Sequence, residues 1–274
     1  MHKIFLTLLL LPSLSGFDAK AIGTGNESDS AKKTQWEFLP AKSLVPLFTA
    51  DQRAHRLTAC NVIGTGEVLG SMGGIFPVLN ASGKKRTFQF SAAATLYTTL
   101  VRYANGGTLL NTDFFVNLFF DYKITDKFCI RFDDGHTSQH FSDDAVIDQL
   151  PVINYVRDFF SLYGIYTADR YMFYSGFIFN HNFKTTDATN AYNLSETPML
   201  QFGFEHDIYR FPGWSEKGKK QCAFFWAGDL KLRGEFNYGS TQTLQAGYKI
   251  RNEHNRTMRI VVNWGSGYEE RGQY

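Results

Sequence analysis

Three cysteines in 274 residues, Cys60, Cys129 and Cys222, are too few and too far apart for a disulfide framework. Their number is odd and no Cys-x-x-Cys occurs, so a zinc knuckle is excluded as well. What remains for them is the role of small buried or lipid-facing hydrophobes. Charge of one sign is also lacking. The formal net charge is +2, which leaves no electrostatic footprint for a nucleic-acid partner. Beyond the amino-terminal stretch there is no long charge-free apolar run, so membrane-spanning helices are excluded. The glycine-rich stretch Gly64–Gly74 is followed by neither Gly-Lys-Ser/Thr nor a helical pattern. It reads as a loop, not as a phosphate cradle.

Aromatic residues are what the chain has in excess: 16%, with 26 Phe and 14 Tyr. That suits an outer surface that meets lipid and rims that carry aromatic girdles. The start reads as an export leader. His2 and Lys3 precede an apolar run from Ile4 to Leu14, and Ala19-Lys20-Ala21 fits a cleavage site. Residues 1–21 are therefore assigned to a signal peptide. No cysteine follows the apolar run, so a lipoprotein anchor is not expected. Residues 22–55 form a polar linker and a pre-barrel segment. There Trp36, Phe38, Leu44, Val45, Leu47 and Phe48 are broken up by Pro40 and Pro46. The prolines argue against one regular element. The segment sits at the entrance of the barrel or plugs it.

From residue 56 to 274 the pattern is one of strands. Phe88, Phe90, Ala92, Ala94 and Leu96 alternate with Gln89, Ser91 and Thr95. Phe114, Val116, Leu118, Phe120 and Tyr122 alternate with Asp113, Asn117 and Asp121. Farther on, Phe202 and Phe204 oppose Gln201 and Glu205, and Phe224 and Trp226 oppose Asp229 and Lys231 in the same way. A period of two is that of half-buried strands. Pro77 marks a bulge or a weakly paired position in Ile75–Asn80. Turns alternate in length: short at Ile124–Asp126 and Thr167–Arg170, long at Ser142–Leu150 and Lys184–Thr197. Outer-membrane barrels show this alternation. The expected fold is all-β, an antiparallel up-and-down transmembrane β-barrel of about twelve strands. Eleven are countable, and Tyr268–Tyr274 is available as a twelfth. A soluble two-sheet protein is the alternative. The inward charges Asp113, Asp121, Arg131 and Asp133 are expected to form a polar network in the lumen.

The chemistry concentrates in Lys127–Asp144. Phe128, Ile130 and Phe132 alternate with Arg131 and Asp133, and His136, Ser138 and His140 continue on one face. Asp143 and Asp144 follow directly. Serine is a poor nucleophile until an imidazole takes its proton, and a third group must orient that imidazole. His136 and Ser138 are the candidate pair, with Asp143, Asp144 and Asn154 as candidate orienting groups. His140 and Arg157 are candidate binding residues. About ten residues cross a bilayer as a tilted strand. Counting from Lys127, His136–His140 falls at the outer leaflet boundary, where acyl esters lie. A bulge at Gly135 would turn the pair into the lumen. The same residues also suit a hydrogen-bonded polar girdle. His136, His140, Asp143 and Asp144 could converge on a metal only across a loop. No cofactor and no metal is expected.

Several stretches together carry a resemblance. Ala50-Asp51-Gln52-Arg53, Leu110-Asn111-Thr112-Asp113, the His136–Asp144 run, Ile153-Asn154-Tyr155-Val156-Arg157 and Gly272-Gln273-Tyr274 occur in this order. They resemble an uncharacterised family of bacterial outer-membrane barrel proteins, the domain-of-unknown-function 1207 family. The family's central motif is closer to His-x-Ser-Ser-His-Leu-Gly-Asp-Glu. Here Gln139, Phe141, Ser142 and Asp144 stand in place of its second Ser, Leu, Gly and Glu. The resemblance implies an outer-membrane location, contact with outer-membrane lipids and insertion by the barrel-assembly machinery, and it brings no activity. His136 and Ser138 also resemble the His-x-Ser pair of two barrel lipid hydrolases, although the Asn-Gly that follows the serine there is absent. The expected function is a structural or passive small-solute transport role in the outer membrane, the alternative a lipid acyl-ester hydrolase.

Overall fold

The computed structural model describes residues 2–8, 34–83, 86–103, 106–142, 155–185, 198–211, 221–234, 237–252 and 257–267. The described residues hold thirteen strands and no α-helix. In chain order they are β1 (His2–Leu8), β2 (Gln35–Phe38), β3 (Thr58–Val62), β4 (Glu67–Ser82), β5 (Thr87–Tyr103), β6 (Gly106–Lys123) and β7 (Phe128–Phe141). Then follow β8 (Tyr155–Ala168), β9 (Tyr171–Thr185), β10 (Met199–Phe211), β11 (Gln221–Arg233), β12 (Gly239–Arg251) and β13 (Thr257–Ser266). From β4 to β13 every strand pairs antiparallel with the next in sequence. β13 then pairs with β1, β1 with β3, and β3 with β4. Followed neighbour to neighbour, the pairing comes back to β4, and twelve strands take part. β2 lies outside that circuit, against Leu79–Ser82 of β4. The sector of β1 and β3 is the shortest part of the wall, with 7 and 5 residues against 16 in β4. Beside it, the edge of β4 from residue 72 to 77 has no strand partner among the described residues.

The two faces of the wall settle which side is the interior. Gln89, Asp113, Asn117, Asp121, Arg131, Asp133, Gln201, Glu205, Asp229, Lys231 and Lys249 are buried. Phe114, Val116, Phe132, Phe173, Phe202, Phe224, Trp226, Leu244 and Val262, on the opposite face, are exposed. A sandwich would reverse this, because its strands bury their apolar residues between the sheets. Here the charges line the inside, as in a barrel lumen.

Residues 43–57 fill that lumen. Val45, Phe48, Thr49, Ala50, Gln52, Ala54 and His55 are buried, although no helix or strand forms here. The sequence left open whether this segment lies at the entrance or inside; Trp36 and Phe38 are exposed on β2, outside the circuit, whereas Leu44 to Phe48 lie inside and the chain continues there to the start of β3. Phe48 stacks on Tyr174 of β9, ring centroids 3.8 Å apart, and meets Tyr163 of β8 edge-on. Such an irregular segment must satisfy its backbone and polar groups on the surrounding wall.

Two local expectations change. The stretch Gly64–Gly74 is a loop only from 63 to 66, where Gly64 and Gly66 have φ of +91° and +74°. The remainder belongs to β4. A Cβ on Gly73 would lie 2.2 Å from the Ala94 carbonyl oxygen, so the glycine allows close approach to β5. No bulge forms at Gly135, since β7 pairs without a shift on both sides. A Cβ there would lie 2.3 Å from the Phe159 ring, which accounts for the glycine. The irregularity predicted at Pro77 is present, as a register shift between Pro77 and Leu79. Of the stretch read as a leader, residues 2–8 form β1; residues 9–21 and Tyr268–Tyr274 lie outside the described residues.

Candidate functional site: an outer polar cluster and a plugged lumen

Two groups of polar residues occupy opposite faces of the same strands. On the outer face of β7, His136 and His140 are exposed and Ser138 is half-buried, while Thr137 and Gln139 between them are buried inside. The continuous register past Gly135 carries Phe128, Phe132, His136 and His140 along one outward face. His136 and Ser138 do not bond to each other. Ser138 Oγ lies 2.5 Å from His140 Nε2, and the ring of His140 meets Phe114 edge-on. His136 Nδ1 lies 2.6 Å from Asp158 Oδ1 on β8. Asp158 Oδ2 accepts from Asn182 Nδ2 of β9, also at 2.6 Å. A register shift between Asp158 and Phe159 sets β9 so that Asn182 reaches that carboxylate. The cluster is thus two units, Ser138–His140 and His136–Asp158–Asn182. The orienting groups expected from sequence, Asp143, Asp144 and Asn154, lie outside the described residues. Asp158 and Asn182 were missed because they lie on neighbouring strands, and only the register reveals them.

The expected lumen charges are all buried. Arg131 donates from Nε and Nη2 to the two oxygens of Asp121, at 2.7 and 2.8 Å. Asp133 accepts from Asn117 at 2.7 Å and from Ser161 at 2.9 Å, and Asp113 accepts from Asn111 at 2.9 Å. Arg157, a candidate binding residue, is buried on the inner face, away from His140.

The plug joins this network on many sides. Asp51 takes Lys231 Nζ of β11 at 2.6 Å and Gln201 of β10 at 3.2 Å. Thr49 donates to Glu205 of β10, which also holds Lys249 of β12. Gln52 donates to Thr243 at 3.0 Å, and Gln89 of β5 bonds the backbone of Lys42 and Leu44. Arg53 lies between the rings of Phe115 and Phe159, 5.2 and 4.7 Å from their centroids. A cation over aromatic faces is attracted by their quadrupoles. His55 spans Thr95 Oγ1 at 2.9 Å and Asn117 Oδ1 at 2.7 Å. Asn117 spends its amide on Asp133, so its oxygen accepts from His55 Nε2–H, while the Thr95 hydroxyl, which can donate or accept, meets Nδ1. Burial pushes the His55 pKa down to about 4, against the smaller opposing effect of the Asn117 bond. For Asp51 burial acts upward, but Lys231 and the Arg53 backbone N–H outweigh it and hold the carboxyl at about 2.

Between plug and wall a cavity of about 60 Å³ remains, lined among others by Asp51, His55, Arg131, Asp133, Tyr163 and Lys231. It is large enough for a few water molecules and too small for a permeating solute. No group of three or more His, Cys, Asp or Glu among the described residues is placed to hold a metal ion. Comparison with protein-family models, with curated proteins and with solved structures gives no match.

Proposed function

We propose that the chain is an outer-membrane barrel whose lumen is shut by residues 43–57, with a structural role in this plugged state. The observation that carries this reading is the inversion of the wall: exposed rings and aliphatics outside, buried charges inside. A water-facing surface with so much contiguous apolar area would promote association, whereas lipid accepts it. The resemblance to the barrel family and the leader-like start point to the same membrane. The passive-transport reading is weakened by the plug, because a continuous water path would need Asp51–Lys231 and the Phe48–Tyr174 stack to part. Membrane fractionation of the expressed chain tests the location. Recovery in the outer-membrane fraction, extractable only with detergent, is expected. A freely soluble periplasmic product would overturn the proposal.

A second reading has one observation in its favour. The Ser138 hydroxyl is bonded to an imidazole and faces the outside. In an acyl-ester hydrolase the Ser138 oxygen would attack the ester carbonyl while His140 Nε2 takes its proton and returns it to the leaving alcohol. Water would then release the acyl group from Ser138 by the same proton path. His140 holds the place that spacing alone assigned to His136. Ser138→Ala and His140→Ala should each abolish acyl release from phospholipid or lipid A, and the losses should not add. Wild-type protein that releases no acyl chain removes this reading and leaves the polar girdle.

A further inference from the structure

Lys249 of β12 and Arg259 of β13 stand directly opposite each other, and both are buried on the inner face. Like charges directly opposite repel. Arg251, which ends β12, reaches the same corner of the lumen. The plug adds a fourth cation, Arg56, whose Nη1 donates to the carbonyl oxygen of Thr49 at 2.6 Å. We propose that this corner binds a small soluble oxyanion of the phosphate class, held by Arg251 and Arg259 of the wall and Arg56 of the plug, so that the bound anion fastens the plug. The site needs the lumen and its plug, not the membrane, and so does not depend on the outer-membrane reading.

Three observations converge on this corner. The first is a charge imbalance. Glu205 of β10 is shared: Lys249 binds its Oε1, Arg251 Nη2 lies 3.8 Å from the same oxygen, and Thr49 donates to Oε2. Lys249 also pairs with Asp207. Arg210, which takes Asp207 too, has Asp169 at 2.8 Å as a partner of its own. Even with Arg56 left aside, Lys249, Arg251 and Arg259 face only Glu205 and Asp207 among the described residues. Across the lumen, Asp121 and Arg131 pair one to one. A buried charge in excess of its partners is costly and calls for a counter-ion.

The second is an unsatisfied guanidinium. Arg259 is only 8% exposed. Its Nη2 donates to Thr49 Oγ1 at 3.2 Å, and its Nε has no hydrogen-bond partner among the described residues. Of the charges that act on it, Glu205 and Asp207 attract, whereas Arg251 and Arg56 repel. The Phe225 ring lies 6.0 Å from Arg259 and 5.2 Å from Lys249. A ring face attracts cations but carries no net charge, so it does not balance them.

The third is access. β12 ends and β13 begins at the end of the wall that carries the 124–127 turn. The Arg251 side chain there is 24% exposed, so a solute meets it first. Arg259 lies one inward position deeper, since Arg251 pairs with Thr257 and Lys249 with Arg259. Guanidinium forks on two strands and a third on the plug suit a tetrahedral anion, whose acceptor oxygens point in several directions. A carboxylate offers two oxygens, and Glu205 already supplies those. Because Arg56 belongs to the plug, the anion binds the docked form better and stabilises it by linkage.

The test is equilibrium dialysis of labelled inorganic phosphate against the purified, folded chain, in chloride at fixed ionic strength. A single phosphate should bind saturably, and sulfate should compete for it. Arg259→Gln and Arg251→Gln should each weaken binding by about ten- to a hundredfold, the range for one charge-assisted hydrogen bond. Arg251 is part-exposed at a strand end, so its variant should fold even if Arg259→Gln does not; the β-sheet circular dichroism signal checks both. Trypsin cleavage at Arg53 and Arg56 gives a second readout. At about ten times the phosphate Kd, cleavage of the wild-type chain should slow by about elevenfold, and that of Arg251→Gln by about twofold or less. Absence of saturable phosphate binding overturns the proposal. So does an unchanged affinity in either folded variant, or phosphate binding that leaves plug cleavage as fast as before.

Discussion

Replacing Lys231 by methionine should free the plug. Lys231 is almost fully buried, 2.6 Å from Asp51 on the plug and 3.4 Å from Asp229 on its own strand. Methionine keeps the length of the side chain and removes the charge. Asp51 then stays buried against the Arg53 backbone N–H and Gln201 without its principal counter-charge. Breaking a buried pair by removing one partner costs about 3–5 kcal/mol. The undocked population should rise by about a hundred- to a few thousandfold, since each ~1.4 kcal/mol is a factor of ten. Trypsin reads this at Arg53 and Arg56, which lie in the plug, whereas Lys42 is exposed in the docked state too. When opening and closing are fast, cleavage follows the open fraction. Cleavage within the plug of detergent-folded Lys231→Met should therefore speed up by about that factor. Combining it with Asp51→Asn should restore part of the protection, because a neutral pair no longer strands a charge. A single variant whose cleavage rises less than about tenfold would refute the claim that this ion pair holds the plug.

Three further perturbations probe the same architecture. Phe48→Ala removes the ring between Tyr174 and Tyr163 and should weaken plug docking by about 3–5 kcal/mol in the trypsin assay. Acid should loosen the plug through His55, whose docked pKa of about 4 lies below its free value of 6.5. The undocked form binds the proton more readily between these values. The contribution is thus complete above pH 6.5 and falls to its minimum at about 4, a loss on the order of 3 kcal/mol. His55→Gln should flatten that part of the trypsin pH profile. Asp51, held near 2, adds its own loss only below 3.8. Gly135→Val would drive a side chain into Phe159 and Asn117, at a cost of about 1–3 kcal/mol, measurable as a lower unfolding midpoint. Phe159→Ala in the same chain should recover part of that loss.

The wall was legible in the sequence because its period is local. Phe114 to Tyr122 against Asp113, Asn117 and Asp121 reads correctly from ten consecutive residues, and the structure turns these sets outward and inward as expected. The inward charges Asp121 and Arg131 were legible as a network for the same reason. Partners across the lumen were not. Asp51 and Lys231 lie 180 residues apart, and nothing in either neighbourhood marks the other. Likewise, spacing could not choose between His136 and His140 as the partner of Ser138, since both lie two residues away on the same face. The choice depends on Asp158, placed opposite His136 by the β7–β8 register, which engages that imidazole. The glycines of β4 misled because a glycine that permits close strand approach looks the same in sequence as one that permits a turn.

Conductance across a planar bilayer tests the central claim most directly. The full chain, folded and inserted, should be silent, because residues 43–57 occupy the lumen, with a cavity of about 60 Å³ beside Asp51 and His55. A chain in which residues 40–56 are replaced by a Gly/Ser linker of equal length should show stepwise channel currents while retaining its β-sheet circular dichroism signal. Open channels from the full chain, or silence from a folded chain without the plug, would contradict the account.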